Sequence, residues 1–121
     1  MAFLEAGVGW VPYLMERLDE KYEKLPQQAR LLTHEPSYYV KSCPIYFSCE
    51  LEEKILPYVV GLGLEKRLLY PSDYPHERPT LEEFLGDIPR FRARKDLSDG
   101  VKKLILRDNC VDFYSLAILA C

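Results

Sequence analysis

The spacing of hydrophobic and polar residues changes several times along this chain, and each change predicts a new element. Residues 1–8 are apolar except for Glu5 and lead into glycine, a pattern typical of a short strand followed by a turn. Apolar residues then recur every three or four positions, which predicts an amphipathic helix over residues 11–24 that ends before Pro26.

The middle of the chain repeats this order of strand and helix. The β-branched and aromatic residues 44–48 predict a second strand after an irregular connection over residues 27–42. Residues 51–60 carry apolar side chains on one helical face, and Pro57 inside this range predicts a kink or an early end. A buried third strand is predicted over residues 67–71.

Helical patterns follow the third strand. Thr80 and Glu83 have the spacing of a capping box, which begins a helix that we expect to end near Gly86. The apolar period from Ser98 to the C-terminus predicts further helix, with a break near Asn109. The repeated order of strand and helix favours an α/β fold, in which right-handed βαβ units form a parallel sheet.

Composition indicates a soluble globular protein and narrows its expected partners. The 121 residues are 48% hydrophobic and 29% charged, which fits one domain over residues 1–121. The formal net charge of −3 gives no basic field, so we expect neither nucleic acid nor a membrane surface as partner. No apolar run reaches the roughly 18 residues of a membrane span, and no signal peptide is evident, so we expect a cytoplasmic protein.

The cysteines have neither the spacing of a zinc site nor the density of a disulfide scaffold. We therefore expect free thiols. The four positions are Cys43, Cys49, Cys110 and Cys121.

An acidic residue follows each predicted strand. Glu5, Glu50 and Asp73 stand at the three C-terminal strand ends, which lie along one edge of a parallel sheet. Folds of this kind bind ligands at that edge. Asp73 could there ligate a metal or accept a proton from water. The alternative is that Asp73 bonds the backbone of a turn and that each acid caps the element after its strand.

Four stretches of the sequence together resemble a known family. In order and spacing they look like the C-terminal part of the amidohydrolase-related metal-dependent hydrolases, which also include non-oxidative decarboxylases. The resemblance spans nearly the whole chain. The stretches are residues 3–12 with 16–19, residues 45–50, residues 69–76 with the motif Ser-Asp-Tyr-Pro-His, and residues 105–109 with Phe113 and Tyr114.

The resemblance implies a (β/α)8 barrel, of which this chain corresponds to the last three strand–helix units, an incomplete barrel. It implies that Asp73 lies at the end of the last barrel strand, ligates the catalytic metal and handles a proton. Glu5 stands where decarboxylase relatives carry a histidine near the metal, so the resemblance implies that Glu5 is a second ligand. It further implies that Trp10 and His76 line the substrate pocket.

The sequence also departs from the family pattern. The family takes metal ligands from an H-x-H pair on the first strand and a histidine on a middle strand, whereas His34 and His76 are the two histidines here. A complete barrel takes roughly 250 residues. We therefore expect a C-terminal fragment of a metal-dependent hydrolase, or of a decarboxylase, that acts on a small carbonyl or carboxylic acid substrate and is inactive alone.

The resemblance also sets the expected cofactor and partners. In the complete enzyme we expect a divalent metal, zinc before others, and a small-molecule substrate, while this chain alone should bind no metal tightly. The expected protein partner is a missing N-terminal half or a second copy. The alternative function is a non-catalytic α/β module that self-associates through the unpaired edges of its three strands.

Overall fold

The computed structural model describes residues 1–76 and 80–116, and three short parallel strands form its single sheet. The register pairs Phe3 with Phe47, and Phe47 with Leu68. The predicted α/β fold with a parallel sheet is therefore confirmed for this part of the chain. In sheet order, the strands are β1 (Ala2–Phe3), β2 (Tyr46–Ser48) and β3 (Leu68–Leu69).

Helices connect and cover the strands. Wider, π-type turns extend the helix Leu56–Val59 (α3) through Val60–Leu64, and join the helix Asp99–Lys103 (α5) to the helix Asn109–Tyr114 (α6) through Leu104–Asp108. We call α5, its wide turn and α6 together the terminal helix. None of the helices in the described residues is long and apolar enough to cross a membrane. The helices are α1 (Val11–Lys24), α2 (Pro36–Ser42), α3 (Leu56–Val59), α4 (Leu81–Ala93), α5 (Asp99–Lys103) and α6 (Asn109–Tyr114).

Two helices begin where local sequence signals place them. Helix α1 has its predicted bounds, with Pro12 in the first turn, where a proline needs no N–H. Helix α4 begins at the predicted capping box. The Thr80 hydroxyl accepts from the N–H of Glu83 at 3.2 Å, and the Glu83 carboxylate accepts from the N–H of Thr80 at 3.3 Å.

The first strand is shorter than predicted because Glu5 and Gly7 have left-handed backbone, with φ of 61° and 57°. The N–H of Glu5 donates to Ser48 Oγ at 3.0 Å. The N–H of Val8 donates to the two carboxylate oxygens of Glu53, at 3.0 and 3.2 Å. The N–H groups of Glu5 and Val8, which a longer strand would pair with β2, are therefore bound by side chains: that of Ser48 in β2 and that of Glu53 in the loop after it.

Two helices also differ from their predicted bounds. Helix α3 begins at Leu56, so Pro57 lies in the first helical turn rather than inside a helix. Helix α4 continues past Gly86, its predicted end, and includes Pro89. The fully buried Phe91 joins the C-terminal part of α4 to the core, and this packing outweighs both weak helix formers.

Asn109 lies within the terminal helix, so the predicted break near it is wrong. Its backbone is helical, with φ −67° and ψ −35°, and the residue is 3% exposed. The side-chain amide donates to the carbonyl oxygens of Glu65 at 2.8 Å and Leu68 at 2.7 Å. This asparagine therefore joins the terminal helix to β3 instead of forming a turn.

We expect Asn109→Ala to lower the free energy of unfolding by about 1–3 kcal/mol, because two carbonyl oxygens would lose their donor. Denaturant unfolding followed by far-UV circular dichroism measures this change. Arg107→Ala is the matched control, because Arg107 lies on the same helix with a half-exposed side chain. It should change the free energy by less than about 0.5 kcal/mol, and equal losses in both variants would contradict the role given to Asn109.

Candidate functional site

A cleft of about 370 Å³ opens at the carboxyl ends of the three strands. Each strand is followed by an acidic residue that lines it, so the acids expected along this edge of the sheet do come together. Larger depressions of about 450 and 690 Å³ elsewhere on the surface are lined by none of these acids. The cleft is lined by Leu4, Glu5, Glu50, Pro71, Asp73 and His76.

Asp73 lines this cleft and also forms a turn with His76. Its Oδ2 lies 3.3 Å from Nδ1 of His76, and its carbonyl oxygen accepts from the N–H of His76 at 2.8 Å. The Asp73 backbone is left-handed, with φ of 45°. The turn expected as the alternative for Asp73 is therefore present, and it holds the carboxylate, with its side chain 37% exposed, beside the cleft.

Glu5 shares the unusual backbone of Asp73. Left-handed backbone is uncommon outside glycine and is found preferentially where the surrounding structure holds it for function. At Glu5 the bond from its N–H to Ser48 Oγ on the neighbouring strand holds the turn. Two acids with this strained backbone thus line a single cleft.

Glu53 fixes the loops that carry Glu5 and Glu50, although the helix predicted over residues 51–60 would place it in the first helical turn. Its carboxylate accepts from the N–H of Val8 and, at 2.8 Å, from the N–H of Glu50. Pro57 is the sequence signal that could have placed Glu53 outside the helix. Because proline favours the first helical turn, it places the helix start near residue 56 and leaves Glu53 in the loop.

Trp10 packs against the sheet and is not among the residues that line the cleft. Its ring meets those of Phe3 and Phe47 edge to face, with centroids 5.7 and 5.6 Å away. The indole N–H donates to the carbonyl oxygen of Gly7 at 3.0 Å. In this chain Trp10 therefore holds the loop after β1 in place.

The thiols in the described residues are free, as expected, at Cys43, Cys49 and Cys110, while Cys121 lies outside those residues. Cys49 is buried at the end of β2, next to Glu50. Burial raises the pKa of the Cys49 thiol strongly, and the nearby glutamate carboxylates add to this shift. Cys49 therefore stays protonated and is a poor nucleophile.

The described residues do not make a metal site by themselves. Across residues 1–76 and 80–116, no three His, Cys, Asp or Glu side chains are grouped so that they could hold a metal ion. A catalytic zinc site takes about three protein ligands. The two predicted ligands, Glu5 and Asp73, line the same cleft but fall short of that set, and what they offer by themselves is proton transfer.

We expect Gly7→Ala to destabilise the loop that carries Glu5. Its φ is +57°, and an added Cβ would lie 3.0 Å from Oε1 of Glu53, so the free energy of unfolding should fall by about 1–2 kcal/mol. Gly9→Ala is the matched control, because its Cβ would meet only Ile55 Cγ2, at 4.0 Å. Denaturant unfolding of both variants tests this, and an equal response would rule out the close approach at Gly7.

Comparisons with known proteins identify the family and a shared fold. The sequence profile of the amidohydrolase family matches residues 1–116. The crystal structure of an amidohydrolase from Mycobacterium avium subsp. paratuberculosis K-10 matches 97% of this chain with a TM-score of 0.72, at 20% sequence identity. This chain spans 28% of the length of that enzyme. No protein with a curated description matches the sequence. From the profile match over nearly its whole length, the chain belongs to the amidohydrolase family.

Proposed function

We propose that this chain contributes three consecutive strand–helix units and the carboxylate of Asp73 to the active site of an amidohydrolase barrel. The observation that carries the proposal is the cleft at the strand ends, where Glu5, Glu50 and Asp73 come together. Family membership and the fold shared with a solved amidohydrolase support it. The reaction is hydrolysis of the ester or amide bond of a small carbonyl substrate, with decarboxylation of a small carboxylic acid as the alternative.

In this proposal Asp73 acts as the base. Its carboxylate takes a proton from the water whose oxygen bonds to the substrate carbonyl carbon. It returns that proton to the leaving group as the bond between the carbonyl carbon and the leaving group breaks. His76, with Nδ1 3.3 Å from Oδ2 of Asp73, orients the carboxylate.

The family resemblance predicts a divalent metal in the complete enzyme. Among the described residues, the acids and the histidine of the cleft are not grouped so that three of them could hold one, so Glu5 and Asp73 would serve as ligands only together with residues from the rest of a barrel. Zinc in the complete enzyme stays a prediction.

We further propose that the activity belongs to an assembly larger than this chain, which spans 28% of the length of a solved relative. The expected partner is a polypeptide that supplies the preceding strand–helix units. The cytoplasmic location and the absence of nucleic acid or membrane partners stay predictions from composition.

The test is a chimera in which this chain replaces the matching part of the Mycobacterium avium enzyme, assayed on an activated ester with divalent metal. We expect Asp73→Asn to lower kcat/KM by roughly 10²–10⁴-fold, the range for loss of a general base. Glu16→Gln, which changes an exposed acid of α1, should leave the rate unchanged.

The isolated chain should hydrolyse the ester no faster than buffer does. Turnover that survives Asp73→Asn in a folded chimera would refute the role of Asp73. Metal-dependent turnover by the isolated chain would refute the need for a larger assembly.

One observation favours the alternative of a self-associating module. Within the described residues, no strand pairs with the outer edge of β1. Exposed apolar side chains border that edge.

A further inference from the structure

A cavity of about 320 Å³ lies between the C-terminal end of α4 and the terminal helix. It shares no lining residue with the cleft at the strand ends. Four of its six lining residues are cationic, although the formal net charge of the chain is −3. The cavity is lined by Arg92 of α4 and by Asp99, Lys102, Lys103, Leu106 and Arg107 of the terminal helix.

One of these cations, Lys102, is held inside the protein, with its side chain 9% exposed. Its Nζ donates to the carbonyl oxygen of Arg92 at 2.8 Å and to Oδ1 of Asp99 at 3.2 Å. A lysine ammonium has a third donor, which these bonds leave for a ligand. The side chain of Asp99 is 99% exposed, so water screens its carboxylate. The buried ammonium therefore favours an anion in the cavity that it lines.

The exposed cations of the cavity also outnumber the carboxylates beside them. Asp108 lies 3.2 Å from Nζ of Lys103 and 3.6 Å from Nη1 of Arg107, so two cations share one carboxylate. In the described part of the chain, no carboxylate pairs with the guanidinium of Arg92. With the buried ion pair included, four cations meet two carboxylates, which leaves a surplus of two positive charges.

We propose that this cavity binds a phosphate group, carried by a small organic phosphate or by free inorganic phosphate. A phosphate monoester carries about two negative charges at pH 7, which matches the surplus of positive charge. Its oxygens accept several charge-assisted hydrogen bonds at once, and the guanidinium groups of Arg92 and Arg107 offer paired donors for them. The half-buried Leu106 adds an apolar wall for the organic part of such an ester.

This inference goes beyond the proposed enzymatic role and does not depend on it. Both walls of the cavity belong to this chain, and the bond from Lys102 to the Arg92 carbonyl holds them together. Phosphate binding can therefore be measured on the 121-residue chain alone. Its absence would leave the role of Asp73 untouched.

The first test is isothermal titration calorimetry of the chain with inorganic phosphate and with phenyl phosphate at constant ionic strength. We expect both to bind with saturation. Tighter binding of phenyl phosphate identifies an organic phosphate as the ligand, and equal binding identifies free phosphate. Benzoate, with a single charge and two oxygens, should bind roughly tenfold more weakly than phenyl phosphate. The proposal fails if neither phosphate saturates, or if benzoate binds as tightly as phenyl phosphate.

Two variants that each remove one positive charge test whether the cavity is the site. Arg92→Gln should weaken phosphate binding by roughly tenfold, because a charge-assisted hydrogen bond is lost. Lys66→Gln is the matched control, because Lys66 is exposed and does not line the cavity. It should bind phosphate like the original chain. Unchanged binding by Arg92→Gln, or an equal loss in both variants, would overturn the assignment.

Arg107→Gln tests the wall formed by the terminal helix. Arg107 is exposed, so we expect the variant to fold, which far-UV circular dichroism checks. Its phosphate binding should weaken as much as that of Arg92→Gln, because one phosphate group contacts both walls. Binding that is unchanged in the folded variant would overturn the placement of phosphate between α4 and the terminal helix.

Discussion

The carboxylate of Glu53 is the interaction on which the candidate site depends. It binds the N–H groups of Val8 and Glu50 and so joins the loops after β1 and β2. Both strands are too short to fix their own ends, at two and three residues. Side-chain bonds to the backbone, rather than the strand ladder, therefore determine where the acids of the cleft lie.

Arg94 supports this arrangement from the other side. Its guanidinium donates to the carbonyl oxygens of Leu51 at 2.6 Å and Glu53 at 3.0 Å, and pairs with Asp96. The Asp96 carboxylate raises the pKa of Arg94, and the pairing lowers the pKa of Asp96. The loop after β2 is thus held by the carboxylate of Glu53 within it and by the guanidinium of Arg94, which directly follows α4. This loop is therefore a fixed part of the fold.

Sequence reasoning succeeded where the determining signal is local. The bounds of α1 and the start of α4 follow from prolines and a capping box, and the profile match confirms the family that the motifs predicted. The three acids could be placed at one edge because parallel strands share their ends. The end of β1 and the role of Asn109 could not be foreseen, since both are decided by partners more than 40 positions away along the chain. The packing of Trp10 could not be foreseen for the same reason, because its partners include Phe47 of the neighbouring strand.

The spacing of these long-range bonds has a consequence for how the chain acquires its structure. The pairs Glu5–Ser48, Leu51–Arg94 and Leu68–Asn109 are 43, 43 and 41 positions apart. Each unit is therefore held by the next, and closing such loops slows folding relative to a bundle with local contacts. During synthesis, the turn at Glu5 must wait for β2, and β3 must wait for the terminal helix. We therefore expect this chain to fold in steps of about one strand–helix unit each, from the N-terminus onward.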